Sequence, residues 1–111
     1  MDVIQQLTEE LVAFRDARDW EQFHNSKDLA LGLSIEAAEL NELFLWKKAD
    51  EVDESRLREE LADVIAYALL LAHKHDFSVA DIVRHKIALN AKKYPVDKAR
   101  GSSRKYTEYE D

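Results

Sequence analysis

The stretch from Leu29 to Trp46, LALGLSIEAAELNELFLW, is apolar around nearly its whole circumference when wound as a helix, yet it carries Glu36, Glu39 and Glu42. At about 100° per residue, Leu29, Leu33, Leu40 and Leu43 fall in one stripe, and Glu36 lands in its middle with Glu39 one ridge aside. Ser34, Ala38, Asn41 and Glu42 form the natural solvent side, so Glu42 reads as an ordinary exposed glutamate. A second stretch, RLREELADVIAYALLLAHKH, repeats the conflict: Leu57, Val64 and Leu71 make a stripe that contains Glu60 and, close by, Tyr67, with Asp63 one ridge away. Carboxylates three positions apart on a helix face the same way, and a buried carboxylate without a partner either neutralises or acquires one. The fold therefore has to give Glu36, Glu39, Glu60 and Asp63 something positive to meet.

Taken singly, an ExxE pair is an ordinary solvated feature of a surface helix. Two such pairs, each interrupting an apolar stripe, point instead to a shared cation. All four ligands are hard oxygens, with no cysteine in the chain and no histidine interleaved among the acids, which suits magnesium, with manganese also possible, rather than zinc.

With two glycines and one proline in 111 residues, and apolar positions at helical rather than alternating spacing, the expected fold class is all-α, a single-domain four-helix bundle. Two helices that are apolar nearly all round exceed what four helices of this size can cover, which predicts assembly into a homo-oligomer. The absence of cysteine fits a reducing compartment. There is no cleavable signal pattern, and glutamates interrupt the apolar run before it could span a bilayer, so the expectation is a soluble, cytoplasmic protein with no membrane partner. A net charge of −7 argues against stable nucleic-acid binding, although Arg84 to Lys105 is locally basic.

Along the chain, the first helix is expected from Asp2 to about Arg18, with Asp2 and Gln5 as a capping pair. The link RDARDWEQFHNS gathers Trp20, Phe23 and His24, either as a staple onto the bundle or as a stacking surface for a flat ring. The second helix is expected from Asn25 or Ser26 to about Lys48, closed by Trp46 and Lys47, and the third from Arg56 to His75 as an antiparallel return. Ser78 and Asp81 open a fourth helix that stops before Pro95; Val79, Ile82 and Leu89 are expected to face inward, with Lys86, Asn90 and Lys93 interrupting that side. Domain 1–95 is followed by a polar basic tail, 96–111, expected to be extended. The EQFH run is a single ExxH unit, whereas a di-iron bundle needs two.

These residues together resemble the MazG-like nucleoside triphosphate pyrophosphohydrolases, in the branch that acts on dCTP. The matching pieces are RDWEQFH, EAAELNELFLWK, EELADVIAY, NAKKYP and ARGSSRKYTEYE, which cover nearly all of the chain. The resemblance implies a four-helix unit assembled as a homotetramer or dimer. It implies Mg2+ held on the triphosphate by Glu36, Glu39, Glu60 and Asp63; among these acids Glu36 or Glu39 is the favoured catalytic base, although spacing alone does not separate ligand from base. Trp20 and Trp46 would flank the base with His24 as neighbour, and Tyr67 lies in a matching piece. Asn90, Lys93, Tyr94, Arg104 and Lys105 would belong to the substrate-binding set at the triphosphate end. The implied reaction is attack of water on the α-phosphorus of a dNTP, giving dNMP and pyrophosphate in nucleotide-pool house-cleaning. The alternative is a non-catalytic helical nucleotide-binding or oligomerisation module. One departure stands out: many members double the first acid, whereas here Ile35 precedes Glu36.

Overall fold

The computed structural model describes residues 2–109, so residue 1 of the expected domain and residues 110 and 111 of the expected tail lie outside the described residues. Within them the chain is helical with no strand, and it divides into two compact units between Phe77 and Ser78.

In the first unit, α1 spans Val3–Asp16, α2 Ser26–Glu42 and α3 Glu54–Lys74. Each begins on a side chain that satisfies the free amides of the first turn. Asp2 and Gln5 close a reciprocal box at 2.7 and 3.1 Å, Asn25 accepts from the Asp28 amide at 2.9 Å, and Asp53 accepts from Ser55 at 3.0 Å. The third helix starts two residues before the expected Arg56 because Asp53 supplies that cap. α2 packs on α3 along its length, and α1 packs on α3 as well. The core consists of Leu29, 1% exposed, with Leu43, Leu69, Leu70 and Ala72.

α2 ends at Glu42, six residues short of the expected Lys48. The chain tightens into i→i+3 hydrogen bonds from Leu43 to Leu40, Phe44 to Asn41 and Leu45 to Glu42, and then turns through Trp46 at φ 63°. A left-handed tryptophan ends a helix as surely as glycine would, at some cost in strain. Trp46 consequently stands off the helix, 93% exposed, and the expectation that Trp46 and Lys47 close α2 is corrected.

The second unit contains α4, Val79–Lys93, and a short α5, Val96–Ala99, followed by a single 3-10 turn at Tyr106–Glu108. Ser78 caps α4 by accepting from Asp81. The expected inward side of α4 is also corrected: Val79 is half-buried, but Ile82 and Leu89 are exposed with the rest of the helix from Asp81 onward. The tail is not simply extended, because Tyr94 makes edge-to-face contacts at 5.9 Å with both Tyr106 and Tyr109. Those rings supply the apolar contact that the composition of the tail otherwise lacks. No helix among the described residues is long and apolar enough to cross a membrane.

Candidate active site

Three pairings fix α2 and α3 antiparallel: Ser26 with His75 through a 2.8 Å hydrogen bond, Gly32 against the Tyr67 ring, and Glu36 beside Glu60 and Asp63. Ligand oxygens of Glu36, Glu60 and Asp63 all lie within 4.8 Å of one another. Glu39 is not one of that trio, but it shares a hydrogen bond with Glu36 and faces Glu60 closely enough to act on its charge. The acid quartet read from the two helical stripes is thus brought together on one interface. The trio contains no histidine, and the single ExxH run forms a 3-10 turn, Glu21–Phe23, in the link after α1.

The electrostatics of the cluster are those of charges without a counter-charge. Loss of water, the hydrogen bond with Glu39 and the charges of Glu39, Asp63 and Glu60 push the Glu36 carboxyl up to about 7 from an ordinary 4.5. Glu60 moves the same way, first through loss of water and then through Glu39 and Asp63, with Arg56 opposing. Among the described residues, none of the four acids has an ion-pair partner, and Glu36 Oε2 and Glu60 Oε2 are buried without any hydrogen-bond partner. Unpartnered buried oxygens call for an explanation. A hard divalent cation fits this donor set, since it would satisfy both orphaned oxygens and offset the mutual repulsion of the acids.

Glu36 and Asp63 also line a cavity of about 400 Å³, whose walls include Trp20, His24, Tyr67 and Arg15. Leu11, Phe14 and Leu70 give it an apolar part. The link after α1 enters this cavity because the chain reverses through Asp19 at φ 55° and the Trp20 amide donates to the Arg15 carbonyl at 3.1 Å. Trp20 then meets Phe14 edge-on at 5.8 Å while remaining 44% exposed, so a large part of its ring stays free for another group. Burial and the neighbouring Arg15 charge hold His24 below its usual value, and its Nδ1 is buried without a partner.

Arg15 is the site residue that sequence reasoning missed. It is 7% exposed, with Nε and Nη2 both 3.0 Å from Asp16 Oδ1 and Nη2 3.9 Å from Glu21. A buried arginine in a ligand-sized cavity is unusual, but in the sequence it is one of several charges in a charged link and nothing local marks it.

Trp46 does not line this cavity. The remaining expected residues belong to the second unit. There the Lys93 ammonium sits 5.1 Å from the Tyr106 ring centre, the main-chain carbonyl of Asn90 accepts from the Tyr94 amide at 2.8 Å, and Arg104 donates to Ser102 Oγ through its amide and Nε. The Lys105 amide donates to Glu108, and a shallow basic cavity of about 390 Å³ lies among Lys92, Lys93, Lys98, Tyr106 and Tyr109. Burial and Tyr94 raise the Tyr109 phenol, with Arg104 opposing.

An antiparallel helix pair that concentrates unpaired acids beside an aromatic-walled cavity defines a helical protein with a donor set able to hold a cation. Comparison narrows it: a model of the MazG-like family matches residues 31–109, and the chain belongs to that family. It is 42% identical over 103 residues to dCTP pyrophosphatase 1 of Homo sapiens, an alignment covering 86% of this chain and 61% of the human one. The Mus musculus protein of the same name is 40% identical, with the same coverage. The chain thus spans 61% of the length of these relatives. Its structure is similar to that of a pyrophosphatase from Archaeoglobus fulgidus, with a TM-score of 0.79 and 35% identity, covering 86% of this chain and 94% of that one.

Proposed function

We propose that the chain is a divalent-cation-dependent nucleoside triphosphate pyrophosphohydrolase that acts on deoxynucleoside triphosphates, dCTP foremost, and releases the monophosphate and pyrophosphate. The observation that carries this reading is the meeting of Glu36, Glu60 and Asp63, two of them with orphaned oxygens, where two of the trio line the cavity walled by Trp20 and His24. The names of the relatives point to the same chemistry.

Glu36, Glu39, Glu60 and Asp63 would hold magnesium, or manganese, which when bound supplies the positive charge that offsets the phosphate oxygens. The chain's own groups do the rest. Glu36 and Glu39 are the acids to accept the proton of the attacking water, and Glu39, outside the ligand trio, is the freer of the two. Trp20 offers a π face to the base, which stacks without strong preference among bases. Neutral His24 and the Tyr67 hydroxyl bring hydrogen-bonding groups to the same cavity. Asn90, Lys93, Tyr94, Arg104 and Lys105 are assigned to the triphosphate on the strength of the family resemblance.

Val3, Ile35, Ile87 and Val96 are all more than half exposed, as is Trp46, and such apolar surface supports a homo-oligomer, with a tetramer favoured over a dimer. Assembly is the step that would bring Trp46 to a nucleotide as the second stacking wall. The reading places the protein in the cytoplasm, clearing the nucleotide pool.

Incubation of purified protein with each dNTP, with and without magnesium, and ion-exchange separation of the products tests this. Magnesium-dependent dCMP and pyrophosphate are expected. Diphosphate and orthophosphate would move the attack to the γ-phosphorus, and absence of turnover on every nucleotide would leave a binding module.

A further inference from the structure

Gly32 lies inside α2, where glycine is a poor helix former, and the reason for it lies across the interface. A Cβ built there would fall 2.4 Å from Tyr67 Cε1, 2.9 Å from Cδ1 and 3.0 Å from Cζ. The Tyr67 ring thus rests directly on the α2 backbone. The same ring lines the cavity, one turn along α3 from Asp63, just as Gly32 is one turn along α2 from Glu36. A side chain that closes the cavity beside the acids owes its position to a missing methyl group. At about 400 Å³ the cavity is near the small end for ligand sites, so small displacements of its walls decide what fits.

We propose that Gly32 is a specificity-determining positioning residue: by letting Tyr67 rest on the α2 backbone, it sets the width of the nucleotide chamber and so the largest nucleotide admitted. This rests on the nucleotide reading above and adds the residue that limits substrate size. A methyl group at position 32 forces the nearest ring atom from 2.4 Å out to at least 3.4 Å, a retreat of about 1 Å. The ring leaves α2 for the space it lines. The cation site is untouched, because the added group is apolar and a full helical turn from Glu36.

The test compares Gly32→Ala with wild type on dCTP, 5-methyl-dCTP and dATP at saturating magnesium, alone and in a Tyr67→Ala background. Gly32→Ala is expected to raise KM for the two larger nucleotides by about tenfold relative to KM for dCTP. The magnesium-induced rise in melting temperature stays as in wild type. In the Tyr67→Ala background the same substitution changes no selectivity, because the ring that transmits it is gone. Tyr67→Leu, which keeps Gly32, is the converse arm and brings the three nucleotides closer together whether or not Gly32→Ala folds. Equal losses on all three nucleotides, a selectivity change that persists without the ring, or unchanged selectivity in Tyr67→Leu would each overturn the assignment while the wild type remains active. A wild type that neither binds nor hydrolyses any of the three refutes the nucleotide reading and this inference with it.

Discussion

Replacing Glu36 by glutamine isolates the electrostatic cost of the acid cluster. In the unfolded chain this carboxyl loses its proton near 4.5, and in the folded, metal-free chain near about 7. Between those values the folded state binds more protons than the unfolded one, so stability is full below 4.5 and falls as pH rises through about 7. The interval bounds the loss at about 3 kcal/mol, and solvent screening in an open cleft reduces the expected value to roughly 1–2 kcal/mol. For a domain of this size that lowers the melting temperature by roughly 5–10 °C. His24 acts in the opposite sense: its lowered value favours the folded state above 6.5 and is lost as pH falls, so it has to be cancelled by subtraction. The quantity to measure is therefore the difference between wild type and Glu36→Gln, by scanning calorimetry in EDTA at fixed protein concentration. The two should melt together at pH 4.5, and the wild type should melt lower at pH 8. Magnesium should restore the wild type at pH 8 and leave the variant nearly unmoved. A difference that stays constant from pH 4.5 to 8 would refute the argument that unpaired acids, rather than packing, set the cost.

Asp63→Asn removes one carboxylate of the trio without changing shape; turnover should fall by about a hundredfold or more while the circular dichroism spectrum is retained, and near-normal activity would sink the site assignment. Trp46→Ala should leave the melting temperature within about 2 °C, because the ring is 93% exposed, and should raise KM for dCTP; a purely thermal defect would instead make Trp46 a packing residue. Leu29→Ala should cost about 2–4 kcal/mol in urea unfolding, as the side chain is 1% exposed, and a loss below about 1 kcal/mol would displace it from the centre of the core.

The acid cluster was legible because its geometry is local. Residues three apart share a helix face, so Glu36 with Glu39 and Glu60 with Asp63 could be placed before anything was known of how α2 meets α3. The caps at Asp2, Asn25 and Ser78 were legible for the same reason, since each bond spans three residues. The end of α2 was not. LFLWKK contains neither glycine nor proline, and nothing short of the tertiary fold tells Trp46 to adopt φ 63°. The order of the tail escaped detection because it depends on Tyr94 meeting Tyr106 and Tyr109 across a turn that composition does not reveal. Arg15 and Gly32 carry the same lesson: one is buried and the other in contact with Tyr67 only because helices distant in sequence pack together.

The interface between α2 and α3 therefore serves two ends that oppose each other. Its apolar positions, Leu29 in α2 with Leu43 just past its end, and Leu69 and Leu70 in α3, hold the unit together. Its acids push the same two helices apart, and in the metal-free protein Glu36 offsets this by keeping its proton to about 7. A sequence selected for stability alone would have placed leucine or glutamine at position 36. The carboxylate makes sense if the folded state is meant to be completed by a cation, so that binding energy is returned to the fold at the place where the chemistry occurs. On that argument Glu36→Gln should be both the more stable metal-free protein at pH 8 and the less active enzyme, the trade expected where a site is built from groups that its own fold disfavours.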